Sequence, residues 1–308
     1  MLTYLTVLTV TPPWPGPAVH RQEWKRRVPL GDGDPMPVAS LPGRGSSPPV
    51  DLQFELGGSG PRLLWIAGSN GDLRKPFGPF DSPAPDRFTV LGYDQRGLGR
   101  SSKPDIPYTM ADYADDAAAL LDHLDWGTAR VVGVSFGGMV AQHLAVRHTA
   151  RIERLALCCT SSGGPGGSSY PLHELVDLDP DAARWRRLEL ADVRRDAAWR
   201  QANPAAATEI SEQMAAAEAV GAGEAGHAEG ARRQLEARRG HDTWDQLPDL
   251  RVPTLVAGGH HDGIAPPANL ERLAGRIPGA ELRFFDGGHL FFLQDRQAWP
   301  TILDFLAG

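Results

Sequence analysis

Apolar and polar residues alternate through 50–56 (VDLQFEL), the two-residue period of a strand with one buried face, and the run stops at a Gly-Gly-Ser-Gly turn. Short apolar runs at 62–67 and 88–93 end at Gly68 and Asp94. The period then changes. Over 109–124, Tyr113, Ala117, Leu120, Leu121 and Leu124 fall on one helical face, and Thr109 with Asp112 forms a variant capping box. Strands at 130–134, 152–158, 252–258 and 280–285 alternate with helices at 136–148 and 267–277. The chain closes with an amphipathic helix carrying Trp299, Ile302, Leu303 and Leu306. This alternation predicts an α/β fold, a mostly parallel central sheet with helices on both faces.

Two segments break the pattern. Residues 1–49 hold no sustained period, and ten prolines between Pro12 and Pro49 interrupt any element that begins. They read as a poorly ordered Pro/Gly-rich leader in which 21–28 could supply an edge strand. Residues 160–247 contain no strand-like run. Glycines at 163, 164, 166 and 167 lead into Ala-, Arg- and Glu-rich helical stretches around 181–201, 206–220 and 229–239. That is too much helix for a simple crossover, and it reads as an inserted helical cap. The expected organisation is a leader (1–49), a core built from 50–159 and 248–308, and a cap (160–247). Trp185 and Trp199 stand in the first cap stretch, where such residues more often pack a helical core than touch a substrate.

Composition works mainly by exclusion. Thirty-eight acidic residues against 31 basic ones give a net charge of −7, so no basic field exists to hold a polyanion. Cys158 and Cys159 are adjacent, and neighbours rarely reach disulfide geometry. No apolar run approaches the roughly 20 residues of a membrane span. The first residues lack the basic start of a secretory signal. The expectation is a cytoplasmic protein with a small-molecule substrate and neither nucleic acid nor membrane as partner. Oligomeric state is left open.

The strongest chemical signal is Gly133-Val134-Ser135-Phe136-Gly137, set between an apolar strand and a helix. A strand that turns this sharply into a helix strains the serine backbone and projects its hydroxyl out of the sheet. Side chains two places either side would collide, hence glycine at 133 and 137. A serine needs a base, and the base an orienting acid. Asp262 follows the strand at 252–258, and His289 follows the strand at 280–285 within Asp286-Gly287-Gly288-His289. Both would stand at the same carboxyl edge as Ser135. Asp286 is too near His289 in sequence to orient it from a separate strand end. His260 and His261 precede the acid on its own loop, and no third ligand with metal spacing accompanies them.

Taken together, the G-x-S-x-G elbow, the Ser…Asp…His order and the stretch GVSFGGMVAQHLAVRH…RIERLALCCTSS resemble the α/β-hydrolase superfamily, in particular its serine-nucleophile enol-lactonase and esterase-like members. The resemblance runs from about residue 50 to residue 306 and is weakest in the cap. It implies an ester or lactone hydrolase that uses Ser135, Asp262 and His289, with no cofactor and no metal. It also implies an oxyanion hole from the backbone N–H of Phe136 and a second N–H in the loop Ala67-Gly68-Ser69-Asn70-Gly71, Ser69 first and Asn70 next. The family often has His-Gly where this chain has Ala67-Gly68. Asp94, in a loop resembling the family's D-x-R-G-x-G-x-S, is read as structural. Three other readings stand beside this one: C–C bond hydrolysis by the same triad, a cofactor-free perhydrolase, and a non-catalytic small-ligand-binding protein.

Overall fold

A computed structural model describes residues 37–43, 48–175 and 177–308. Eight strands form one sheet: β1 (Val38–Leu41), β2 (Val50–Gly57), β3 (Arg62–Ile66), β4 (Thr89–Tyr93), β5 (Ala129–Val134), β6 (Ile152–Cys158), β7 (Thr254–Gly259) and β8 (Glu281–Phe285). Their order is β1-β2-β4-β3-β5-β6-β7-β8. The β1–β2 and β2–β4 pairs are antiparallel, and every other pair is parallel.

Strand alternation builds two cores. Leu64 and Ile66 of β3 face one side of the sheet, where α1 (Met110–His123), α2 (Phe136–Arg147) and α7 (Pro267–Arg276) pack. Leu63 and Trp65 face the other, covered by α8 (Ala298–Ala307). Helix α8 seats Ile302, Leu303 and Leu306 at 0–2% exposure, and each such side chain contributes about 1.5–3 kcal/mol of burial. Thr109 caps α1 as predicted: its hydroxyl accepts from Asp112 N–H, and the Asp112 carboxylate accepts from Thr109 N–H.

The leader boundary needs correction. Residues 38–41 form strand β1, with Ala39 and Leu41 buried against the sheet. Pro37 and Pro42 flank this edge strand instead of interrupting it, the placement an edge tolerates. The remainder of the leader up to residue 36, including the edge strand expected at 21–28, lies outside the described residues.

Between β6 and β7 the described residues add no strand and form α3 (Pro180–Ala191), α4 (Ala197–Ala202), α5 (Pro204–Ala219) and α6 (His227–Arg239). The single helix expected over 181–201 is therefore two. Helix α3 ends at Asp192, whose carboxylate binds the Arg194 N–H and guanidinium, and Asp196 caps α4 by accepting from Trp199 N–H. Trp185 and Trp199 fall on separate helices, joined by Arg200, whose guanidinium lies 4.8 Å from the Trp185 ring centre. Among the described residues, no helix is long and apolar enough to cross a membrane.

A histidine pair ties the end of this segment to the core. His143 Nε2 on α2 lies 3.2 Å from His241 Nδ1, and His241 Nε2 lies 2.8 Å from the Ser161 carbonyl oxygen. A carbonyl can only accept, so His241 is protonated on Nε2 and accepts from His143 at Nδ1. Burial holds His143 down to about 4 and His241 to about 3, with Arg147 and His143 respectively the next causes. Both imidazoles are thus folded in the neutral form, while in the unfolded chain they protonate near 6.5. Their contribution is present above pH 6.5 and is lost as pH falls toward 4 and 3. Between pH 7 and pH 5 this amounts to about 2 kcal/mol for each. The urea midpoint should drop over that interval, and drop less in the double variant His143→Gln/His241→Gln. An equal drop in both proteins would refute the assignment.

Candidate active site

The chain reverses direction across the sheet around β3 and β5: β3 leads to β4 on one side, β5 to β6 on the other. A crevice opens outside the carboxyl ends of strands at such a point. The loop after β3 and the turn after β5 meet there.

Ser135 occupies that turn with φ 55° and ψ −115°, a region non-glycine residues rarely visit. Four hydrogen bonds hold it. Ser135 N–H donates to the Cys158 carbonyl (2.8 Å), while its own carbonyl accepts from Gly138 N–H (2.9 Å), Met139 N–H (3.3 Å) and Thr160 Oγ1 (2.9 Å). The expected collisions are evident. A Cβ on Gly133 would stand 2.4 Å from the Gly137 carbonyl oxygen, and one on Gly137 only 2.0 Å from the Ile66 carbonyl oxygen.

Ser135, His289 and Asp262 come together. His289 Nε2 lies 2.9 Å from Ser135 Oγ, and His289 Nδ1 lies 2.8 Å from Asp262 Oδ2. The other Asp262 oxygen accepts from Ile264 N–H (2.7 Å) and Ala265 N–H (2.9 Å), so the carboxylate is fixed from both sides. Asp262 and His289 are 3% and 8% exposed, which keeps water from competing for the relay. An ionised carboxylate can only accept, so the imidazole proton sits on Nδ1 and Nε2 is free to accept from the serine hydroxyl.

The end of α3 anchors both partner loops. Gly263 N–H donates to the Leu190 carbonyl (2.9 Å), His289 N–H to Ala191 (2.6 Å), and Val193 N–H to His261 (3.0 Å). The helix break at Asp192 frees these groups for the loops, a purpose no local pattern in the sequence displays.

On the β3 side, the Gly68 backbone approaches the Ser135 Cβ, so the loop borders Ser135. Three side chains hold it where the family often has histidine. Gln95 Nε2 donates to the Ala67 carbonyl (2.9 Å), Lys75 Nζ to the Asn70 carbonyl (2.9 Å), and Gln234 Oε1 on α6 accepts from Asn70 N–H (2.7 Å). Asn70 is thereby removed from the pair of candidate donors. Among the described residues, no acceptor takes the N–H of Ser69 or of Phe136.

The rivals sit elsewhere. Asp286 is exposed and pairs with Arg194 (2.8 Å) and, at 3.7 Å, with His261. His260 stacks on Phe284. Asp94 accepts from Leu73 N–H and Arg100 N–H, and burial raises its carboxyl to about 6, the position of a turn-holding group. Burial pushes the Cys158 thiol up to about 12, so it carries no thiolate at neutral pH. Among the described residues, no group of three or more His, Cys, Asp or Glu side chains is arranged to hold a metal ion.

A family model described as alpha/beta hydrolase fold matches residues 61–296. A poly(3-hydroxyalkanoate) depolymerase from Ectopseudomonas oleovorans is 30% identical over 249 residues, 79% of this chain and 83% of that protein. The 3-oxoadipate enol-lactonase 2 of Acinetobacter baylyi is 29% identical over 217 residues, 70% of this chain and 76% of that one. Among solved structures, the enol-lactonase from Burkholderia xenovorans LB400 is 28% identical with a TM-score of 0.70, covering 88% of this chain and 100% of that chain.

The elbow geometry makes a stability prediction. Gly137→Ala sets a methyl against backbone that cannot rotate away, and should lower unfolding free energy by about 3 kcal/mol or more. Gly127→Ala, with nothing within 4 Å, is the control and should change it by less than about 0.5 kcal/mol. Similar urea curves for the two variants would contradict the packing described.

Proposed function

The chain belongs to the alpha/beta hydrolase fold family, and from that premise we propose that it is a serine hydrolase cleaving a carboxylic ester or lactone of a small molecule. The observation that carries this reading is the continuous relay Ser135 Oγ–His289 Nε2–His289 Nδ1–Asp262 Oδ2, at 2.9 and 2.8 Å. The named relatives, a polyester depolymerase and enol-lactonases, support ester and lactone bonds as the bond class.

In the proposed reaction Ser135 Oγ attacks the carbonyl carbon while His289 Nε2 takes the hydroxyl proton. The carbonyl π electrons move onto oxygen, and the N–H groups of Phe136 and Ser69 stabilise that oxyanion. Phe136 directly follows Ser135 and opens α2, whose N-terminal dipole adds to the effect, and Ser69 follows Gly68, which borders the Ser135 Cβ. Collapse of the intermediate breaks the bond to the leaving alkoxide, which takes the proton from His289. Water then attacks the acyl-enzyme, giving its proton to His289, and the acid is released as the proton returns to Ser135. Asp262 holds the imidazole tautomer and balances its charge when it becomes imidazolium.

Ser135→Ala should lower kcat on p-nitrophenyl acetate by about 10³–10⁶, and Asp262→Asn by about 10⁴. A fluorophosphonate probe should label wild type at Ser135 and leave Ser135→Ala unlabelled. Full turnover by Ser135→Ala would remove the basis for this mechanism.

A further inference from the structure

The two edges of the sheet are built differently. β1 is short and lies between Pro37 and Pro42, a device that limits pairing with a further strand. β8 forms the other edge with Glu281-Leu282-Arg283-Phe284-Phe285, without proline and in one unbroken register on β7. Its backbone groups can be assigned by side. His260 N–H donates to the Phe285 carbonyl (3.0 Å), so Phe285 turns its backbone toward β7. Residues of a strand alternate in this respect, so Glu281 and Arg283 also turn toward β7, and Leu282 and Phe284 turn outward. Arg283 Nη1 agrees with this, since it reaches the Leu282 carbonyl from the open side (3.1 Å). Among the described residues, no strand lies beyond β8 and no acceptor takes the N–H of Leu282 or Phe284.

The charges on this edge select a partner. A two-fold axis sets an edge strand antiparallel to its own copy, and the outward residues decide which registers can form. With the axis at Leu282, Leu282 faces itself, and Ala280 faces Phe284 of the second copy, as hydrogen-bonded pairs. Glu281 then stands directly opposite Arg283 of the second copy, and Arg283 opposite Glu281, in the non-hydrogen-bonded positions where side chains lie closest. An axis at Glu281 would set Glu281 against itself, and one at Arg283 would set Arg283 against itself. Like charges directly opposite are destabilising. An axis at Phe284 faces Arg283 with Phe285 and pairs neither charge. Only the axis at Leu282 brings opposite charges together.

We propose that β8 pairs with β8 of a second copy of this chain about a two-fold axis at Leu282, joining the two sheets into one. Each copy donates Leu282 N–H to the Leu282 carbonyl of the other, and Phe284 N–H to the Ala280 carbonyl. The Ala280 N–H stays with the Ile277 carbonyl (3.2 Å). In the single chain Arg283 folds back on its own strand, with Nη1 on the Leu282 carbonyl and Nη2 2.9 Å from Glu281. Both side chains are about half exposed, so these contacts are weak and exchange for equivalent ones across the axis. Phe284, stacked on His260, meets the small Ala280. The strands run in opposite directions across the axis, so the carboxyl ends of the two sheets point apart and neither crevice beside Ser135 is covered. The pairing is independent of the reaction proposed above. Its contact is small, which places it among associations that form and dissolve with concentration.

The test is analytical ultracentrifugation of the full chain from about 1 µM to about 500 µM. The weight-average mass should rise with concentration toward that of two chains. Glu281→Arg or Arg283→Glu alone sets like charges opposite each other and should weaken association by about tenfold or more. The double variant Glu281→Arg/Arg283→Glu restores opposite charges and should associate within about threefold of wild type. An equimolar mixture of the two single variants should associate more strongly than either alone, because one edge then carries two arginines and the other two glutamates. Both positions are exposed, so urea curves of all variants should match wild type and serve as the folding control. A one-chain mass at every concentration overturns the proposal and leaves the edge to another segment or partner. Association that both single variants keep at full strength places the contact elsewhere and overturns it as well. A double variant as weak as the single ones, or a mixture no stronger than its parts, refutes the register at Leu282.

Discussion

The backbone of Ser135 is the constraint around which the rest is arranged. A non-glycine residue at φ 55°, ψ −115° is unfavourable by itself, by about 1–3 kcal/mol, and persists only where its surroundings over-determine it. Here they do. Strand β6 takes its N–H through Cys158, the first turn of α2 and Thr160 take its carbonyl, and β3 presses on Gly137 through Ile66. Three neighbouring strands and a helix start therefore meet at one residue. The hydroxyl is aimed by the sheet as a whole and not by any local feature of the loop.

The inserted segment enters this arrangement as scaffold as well as cover. Its first long helix ends in carbonyls that receive the loops of Asp262 and His289, and its last long helix supplies the acceptor for Asn70. A third tie, Glu224 to Arg74 at 2.5 Å, is half-exposed and worth at most about 1 kcal/mol. The backbone bonds at α3 matter more, because they set the loops on which the relay depends.

Much of this was legible in the residues. The period change from two to 3.6 located the sheet and its helices because the strands are apolar and the helices clearly one-sided. The elbow declared itself through paired glycines, and Asp262 and His289 through their places after strands. What escaped notice did so for physical reasons. Strand β1 is four residues between prolines, too short to show a period. The break after α3 is set by what its carbonyls must receive from loops about 70 and 100 residues later, which helix propensity does not encode. Gln95 and Gln234 support the β3 loop from 28 and 164 positions away, and Lys75 from five residues on; a lone polar residue at any of these places carries no signal. Arg238 stands in a run of arginines and glutamates that reads as a solvated face, and its burial emerges only from tertiary packing.

The bond between Gln234 and Asn70 joins residues 164 positions apart, one from the inserted segment and one from the loop beside Ser135. Under the proposed function, substrate range and turnover are therefore coupled through this bond. A segment borrowed from a relative would bring its own partner, or none, to Asn70 N–H, and would reset the β3 loop along with α6. Changes on the outer turns of the insertion leave this bond in place, whereas changes on the inner face of α6 reach the β3 loop directly.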